Sequence, residues 1–94
     1  MSALYHVFIL PKEGVTREAV ETALNAAPDW VRYYHKCYVI ETDQTAEYWF
    51  EKLKSLVEPS GHLFICKFDK THYHGRMEKA FWEWYQAKAP RAND

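Results

Sequence analysis

The apolar residues of this chain fall into blocks whose spacing predicts four strands and three helices. The four strand-like blocks, rich in β-branched and aromatic residues, cover residues 4–10, 30–34, 37–42 and 62–68. The second and third blocks are separated only by His35 and Lys36, which predicts an antiparallel hairpin. The first block ends at Pro11 and is apolar at odd and even positions alike, which indicates a central strand in a sheet covered on both faces.

Three further segments repeat their apolar residues at helical spacing. Thr16 is a suitable N-cap for a helix that ends before Pro28, and a second helix runs from about residue 45 to Pro59. A third helix, residues 76–88, has two apolar stripes: Met77, Ala80, Phe81 and Trp84 on one side, and Trp82, Tyr85 and Ala89 on the other. We expect one stripe to serve the fold and the other to contact a partner, the alternative being a helix wedged inside a single chain.

This order of elements predicts the α+β class. Two split βαβ halves match a ferredoxin-like βαββαβ sandwich, with a four-stranded antiparallel sheet, two helices on one face and an extra C-terminal helix. We expect residues 1–88 to form one domain and residues 89–94 to form a short flexible tail. The second sheet face needs a cover, and the pattern leaves open whether the third helix or a second copy of the chain supplies it.

Composition narrows the class of protein. Hydrophobic residues make up 48% of the chain and aromatic residues 17%, which suffices for one small core with surplus apolar surface for association. The formal net charge of -1 argues against a protein that coats nucleic acid. We expect a cytoplasmic protein with no membrane partner, since no stretch has the length of a membrane span and the N-terminus lacks signal-peptide features. Cys37 and Cys66 lie in apolar strands, where we expect small, buried, reduced thiols.

The polar segment after the fourth strand holds the candidate chemistry. His72 and His74 form an H-x-H pair that could share a metal, but no second cluster has ligand spacing, so we predict no metal site and no cofactor. We interpret these histidines as part of a mildly basic rim that contacts phosphates or an acidic protein surface. Together with the aromatic anchors of the third helix, the predicted partner-binding residues are Lys67, Lys70, His72, His74, Arg76, Lys79, Trp82 and Tyr85.

Residues spread over most of the chain carry a family resemblance. They are Trp30, the run from Cys37 to Asp43, Trp49, Leu53, the run from Gly61 to Lys67, Gly75, Arg76 and the triplet Trp82-Glu83-Trp84. In these residues the chain resembles the small SinR-type proteins, which look like relatives of an endoribonuclease-like CRISPR adaptation protein. The resemblance implies a ferredoxin-like fold, a homodimer paired sheet to sheet, and a link to CRISPR or phage-defence biology.

One part of the family pattern is missing. Nucleases of that wider group carry an aspartate directly after the first strand, whereas this chain has Leu10, Pro11, Lys12 and Glu13 at that place. The residue match therefore does not extend to a metal-dependent phosphodiesterase.

Three functional hypotheses remain open. The first is a non-enzymatic homodimeric interaction module that docks a protein or nucleic-acid partner through the basic rim and the third helix. The second is a metal-dependent endonuclease acting on RNA or DNA, which would use Glu13, Asp43 or Asp69 together with His72 and His74. The third is a small-molecule-binding enzyme or sensor with a closed cavity near His6 and Tyr33.

Overall fold

A computed structural model describes residues 2–69 and 73–88. Along the chain the elements are β1 (Ala3–Leu10), α1 (Arg17–Leu24), β2 (Asp29–Tyr34), β3 (Cys37–Thr42), α2 (Ala46–Leu53), a 3-10 turn (Lys54–Leu56), β4 (His62–Lys67) and α3 (Lys79–Lys88). The α+β class, the antiparallel sheet and the helices agree with the sequence prediction. The predicted tail, residues 89–94, lies outside the described residues. No helix in the described part of the chain has the length and apolar character needed to cross a membrane.

The strands form one antiparallel sheet in the order β2-β3-β1-β4. β1 lies between β3 and β4, as its two-sided apolar pattern predicts, and Val7 pairs with Tyr38 on one side and with Ile65 on the other. The register of β2 against β3 shifts between Arg32 and Tyr34, so a β-bulge interrupts this ladder. Because β1 is central, each of its faces belongs to a separate hydrophobic cluster.

α1 and α2 cover the first face of the sheet. The core between these layers combines side chains from the strands and both helices: Tyr5, Val7, Ile9, Val20, Leu24, Tyr38, Ile40, Trp49 and Leu53. Trp49 is 1% exposed, and its indole Nε1 donates a 3.0 Å hydrogen bond to Thr42 Oγ1. The one polar atom of this large side chain is therefore satisfied inside the core.

Threonine side chains start both of these helices. Thr16 Oγ1 accepts a 3.1 Å hydrogen bond from the Ala19 N–H, and Thr45 Oγ1 accepts one of the same length from the Tyr48 N–H. Both threonines have extended backbone angles, which is the usual N-cap conformation. The predicted start of α1 at Thr16 and of α2 near Thr45 is confirmed by these caps.

Three helix boundaries differ from the prediction. α2 ends at Leu53 and is followed by the 3-10 turn Lys54–Leu56, so the α-helix does not run to Pro59. α1 ends at Leu24 and not just before Pro28, because the next residues form a turn in which the Ala27 N–H donates to the Leu24 carbonyl at 2.9 Å. α3 begins at Lys79, three residues later than its apolar spacing indicated. Apolar periodicity locates the middle of a helix better than its ends, because the terminal turns often fray or tighten.

α3 covers one half of the second sheet face. Tyr85 lies beneath this helix with 2% of its surface exposed and packs with Leu4 and Val39. At the end of the helix, Lys88 Nζ lies 2.9 Å from Asp29 Oδ2 on β2. The sequence left open what covers this face, and over this half the cover is the third helix of the same chain.

The other half of the second face stays open in the described part of the chain. Strand pairing places Phe8 beside Cys37 on β3 and beside Phe64 on β4, and Phe64 is 61% exposed. Cys66 lies two positions further along β4, and Leu10 two positions further along β1. We call this surface, formed by Phe8, Leu10, Cys37, Phe64 and Cys66, the open half-face.

The expectation of two buried thiols was wrong. Both cysteines are free, but Cys37 is half-buried and Cys66 is exposed. Their strands have the apolar composition of a covered sheet, yet α3 reaches only half of this face. Apolar neighbours in sequence therefore did not guarantee burial here.

Replacing Thr42 by Val keeps the shape of this side chain and removes the acceptor of two N–H groups, the indole of Trp49 and the backbone of Gln44. We expect the free energy of unfolding to fall by about 1–3 kcal/mol, because the indole N–H is left buried without a partner. Urea denaturation followed by circular dichroism measures the change. Thr22→Val, on the exposed side of α1, is the matched control and should cost less than about 0.5 kcal/mol. Equal losses in the two variants would contradict this role of the hydrogen bond.

Candidate functional site

Several of the predicted partner-binding residues are exposed between the end of β4 and the start of α3. They are Lys67, His74, Arg76 and Lys79. Acidic side chains share this rim, since Lys79 Nζ lies 3.9 Å from Glu83 Oε2 and Glu78 is also exposed. The rim is therefore of mixed charge. Lys70 and His72, which were predicted in the same rim, lie outside the described residues.

Tyr85, a predicted partner-binding residue, is the centre of an aromatic group beneath α3. Its ring centroid lies 4.6 Å from that of Tyr73, 5.7 Å from that of Phe81 and 5.8 Å from that of Phe68. These separations fall within the roughly 4.5–7 Å over which aromatic pairs attract. Trp82, the other predicted anchor, is half-buried at 6.2 Å from Tyr85. Tyr85 thus supports this surface from below, and Trp82 reaches its outer side.

A cavity of about 210 Å³ lies between α3 and the second sheet face. Rings from both layers line it, and we call them the aromatic cluster: Tyr33, Phe68, Tyr73, Phe81, Trp82 and Tyr85. Arg76 and His74 also line this cavity. A second depression of about 240 Å³ adjoins it and shares Tyr73, His74 and Trp82. The third functional hypothesis expected a closed cavity near His6 and Tyr33. Tyr33 lines this cavity, but His6 does not, and the cavity is partly open.

Two hydroxyl groups of the aromatic cluster are buried without a partner. Neither Tyr73 Oη nor Tyr85 Oη has a hydrogen bond within the part of the chain that the structure describes. Burial raises the pKa of Tyr85, and the nearby Tyr73 and Asp69 raise it further. Buried polar atoms are nearly always paired in proteins, so two orphan hydroxyls in one cluster call for a specific cause.

His6 connects the aromatic cluster to the open half-face. Its Nε2 atom lies 2.7 Å from Tyr33 Oη, and its ring contacts Phe68 at 6.1 Å. Burial, together with a hydrogen bond to Cys37, raises the pKa of Tyr33 to about 12. Burial also lowers the pKa of His6 from its usual 6.5. This pair is a neutral, hydrogen-bonded unit, in which His6 and Tyr33 satisfy each other.

The carboxylates of the endonuclease hypothesis lie at two different ends of the sheet. β1 runs antiparallel to β3 and β4, so Glu13 follows β1 at one end, while Asp43 and Asp69 follow their strands at the other. Within residues 2–69 and 73–88, no three His, Cys, Asp or Glu side chains are grouped so as to hold a metal ion. Because His72 lies outside the described residues, the H-x-H pair itself stays a prediction.

Tyr73 and Phe68 line the cavity but were not among the predicted site residues. Phe68 could have been found, because it continues the face of β4 that carries Phe64 and Cys66. Tyr73 lies in an irregular segment, where no periodicity tells which way a side chain points. Its place in the cavity depends on the path of the chain between β4 and α3.

The lowered pKa of His6 makes folding stability depend on pH. Below about pH 6.5 the unfolded chain binds a proton at this position more readily than the folded one, so stability is complete above that pH and is lost as pH falls. We expect the wild type to lose more unfolding free energy than His6→Gln between about pH 8 and about pH 5.5. Urea denaturation at both pH values measures this difference. The same loss in both proteins would mean that His6 does not sense the pH.

Comparison of the chain with protein-family models, with curated proteins and with solved structures finds no match. The resemblance to the SinR-type proteins therefore stays a prediction from the sequence. Three features of this molecule bear on its function: the open half-face, the aromatic cluster and the cavity that it surrounds.

Proposed function

We propose that this protein is a non-enzymatic homodimeric interaction module that docks a protein or nucleic-acid partner. The open half-face carries the proposal, because it leaves two large apolar side chains in solvent, Phe64 on the edge strand β4 and Leu10 at the end of β1. The resemblance to SinR-type proteins supports a role in CRISPR or phage-defence biology. It also supports a homodimer in which the two copies pair sheet against sheet.

A ferredoxin-like sandwich is the fold that we propose for this module. Read from the other edge, the strand order is β4-β1-β3-β2, with all neighbours antiparallel. α1 and α2 pack on one face of the sheet, as the two crossovers of a split βαβ arrangement do. α3 is then an addition that covers half of the remaining face.

A second copy of the chain is the occupant that best fits the open half-face. Two copies related by a twofold axis bring the same surface together, so Phe64 of one copy would lie against the apolar side chains of the other. The half-face contributes no carboxylate or ammonium group to such a contact, and the net charge of -1 gives little repulsion between copies. Exposed Phe64 and Leu10 gain the most from burial there.

The partner surface that we propose is the rim together with the outer side of α3. Lys67, His74, Arg76 and Lys79 supply exposed donors, and Trp82 supplies an aromatic edge above the buried Tyr85. Arg and Trp are the residue types most often found at the centre of binding surfaces. Lys70 and His72 belong to the same proposal by their position in the sequence.

Phe64→Lys tests the dimer. Light scattering across a dilution series should show a wild-type dimer, and the variant should dissociate at least about 30-fold more easily, because a charge replaces a central apolar contact. The side chain is exposed in the single chain, so folding should be unaffected.

Phe50→Lys is the matched control, since Phe50 is 44% exposed on α2, on the other side of the sheet. This variant should dimerise like the wild type. A wild type that is monomeric at every concentration, or equal weakening in both variants, would overturn the proposed dimer.

A further inference from the structure

We infer that the outer edge of β4 is a docking site for an extended, basic segment of a partner protein, which pairs with it as a fifth strand. The backbone edge of this strand is a separate surface from the rim and from the open half-face, so a partner here is an addition to the proposed function. Three features support it: the unpaired backbone groups of the edge, a depression beside them, and the acidic side chains that border this depression.

β4 is an edge strand whose outer backbone groups have no partner in the sheet. The Phe68 N–H donates to the Leu4 carbonyl at 2.8 Å, and backbone groups point to alternate sides along a strand. The N–H and C=O groups of Leu63, Ile65 and Lys67 therefore point away from β1. Within the described residues no further strand pairs with β4, and none of these groups has a backbone hydrogen bond. The edge thus offers a regular row of donors and acceptors to another extended chain.

A depression of about 260 Å³ lies beside this row, on the face of the sheet that α1 and α2 cover. Ile65 of β4 and Ala46 and Phe50 of α2 form its apolar part, and Phe50 is 44% exposed. A residue of a fifth strand that pairs with Ile65 has its side chain on the same face, next to this depression. The apolar surface there fits the hydrocarbon stem of a long side chain.

Two carboxylates at the depression favour a positive charge at the tip of that side chain. Glu47 and Glu51 lie one turn apart on α2 and both line the depression. Glu51 pairs with Lys54 at 2.8 Å, whereas Glu47 has no ion-pair partner in the part of the chain that the structure describes. A lysine or arginine of the partner can pack its stem on Phe50 and bring its charge to the two glutamates.

A second copy of this chain fits the edge less well than a basic segment does. Antiparallel pairing of two β4 strands around a twofold axis perpendicular to the sheet places both α2 helices on the same side of the joined sheet. Glu47 and Glu51 of the two copies would then border one junction, where like charges repel each other. Charge complementarity therefore favours a basic segment as the occupant.

The other face of the added strand meets apolar side chains. Its alternate residues lie beside Phe64 and Cys66, which are both exposed. Apolar pairs across neighbouring strands stabilise a sheet. The partner segment is therefore expected to alternate, with basic residues on the α2 side and β-branched residues on the Phe64 side.

A synthetic alternating peptide tests this site. The probe is acetyl-Ser-Val-Lys-Val-Lys-Val-Lys-Val-Ser-amide, and its control peptide has glutamate in place of each lysine. In a nuclear magnetic resonance titration of the full-length protein, the lysine peptide should bind at least about 5-fold more tightly, because only its charge complements Glu47 and Glu51. Equal binding of the two peptides, or binding of neither, would overturn the inference.

Methyl groups on the backbone nitrogens of the probe test for strand pairing. In an antiparallel fifth strand the lysine N–H groups point to β4 and the valine N–H groups point away from it. N-methylation of the lysines should weaken binding at least about 10-fold, whereas N-methylation of the valines should change it less than about 2-fold. Solvent exchange of the Leu63, Ile65 and Lys67 amide protons should slow in the complex. Any other pattern would contradict pairing at this edge.

Glu47→Lys and Glu18→Lys separate the site from the general charge of the protein. Each glutamate is exposed in the first turn of its helix, two residues after a capping threonine, so the two changes affect the fold alike. α1 lies toward the opposite edge of the sheet, where Glu21 contacts Arg32 of β2. Glu47→Lys should weaken binding of the lysine peptide at least about 3-fold, and Glu18→Lys less than about 1.5-fold. Equal weakening would mean that the peptide follows net charge alone, and the inference would fail.

Light scattering distinguishes failure at this edge from failure of the proposed dimer. Glu47→Lys should keep the oligomeric state of the wild type, and an excess of the lysine peptide should not dissociate the dimer. A dimer that does not bind the peptide refutes the docking site alone, and a monomer that binds it refutes the dimer alone. A dimer that the peptide dissociates would place a second copy at the β4 edge and overturn the partner segment as its occupant.

Discussion

β1 is buried from both sides, and the rest of the molecule depends on that constraint. Leu4 and Val7 belong to opposite faces of the sheet, and both are fully buried. Each such side chain contributes about 1.5–3 kcal/mol when it leaves water, which is a large share of the stability of a domain of this size. Neither face can therefore be left to solvent along its whole length, and α3 is part of the fold.

The attachment of α3 combines two kinds of interaction with different effects. Lys88 lies between Asp29 and Glu41, and Trp84 Nε1 donates to Asp29 Oδ2 at 3.2 Å. The hydrogen bond from Lys88 lowers the pKa of Asp29, but contacts at a surface are weakened by water and salt. These polar contacts fix the direction of the helix, while the burial of Tyr85 holds it on the sheet. The same rings enclose the cavity, so fold and site share their residues.

The parts of the structure that follow from local pattern could be predicted from the sequence. The two-sided pattern of β1, the threonine caps and the Trp49 side of α2 each depend on neighbours one to four residues away. The side of α3 that faces the sheet could not be predicted, because aromatic residues lie on two sides of this helix. Tyr85, from the stripe with Trp82, is the side chain that turns fully inward. The contacts of Tyr73 and the exposure of Cys66 depend on residues that are distant in the sequence. The spacing of apolar residues along the chain gives no information about such contacts.

The bulge in β2 gives the sheet two unlike edges. Strand addition from another chain needs a long, regular row of free backbone groups, and a bulge twists such a row out of line. β2 pairs irregularly with β3 near Tyr34, whereas β4 follows β1 without a shift from His62 to Lys67. Growth of this sheet by a fifth strand is thus favoured at β4, beside Phe64. Within the described residues, β4 is the edge strand with a regular row of backbone groups, and β2 is the edge strand whose row is interrupted by a bulge.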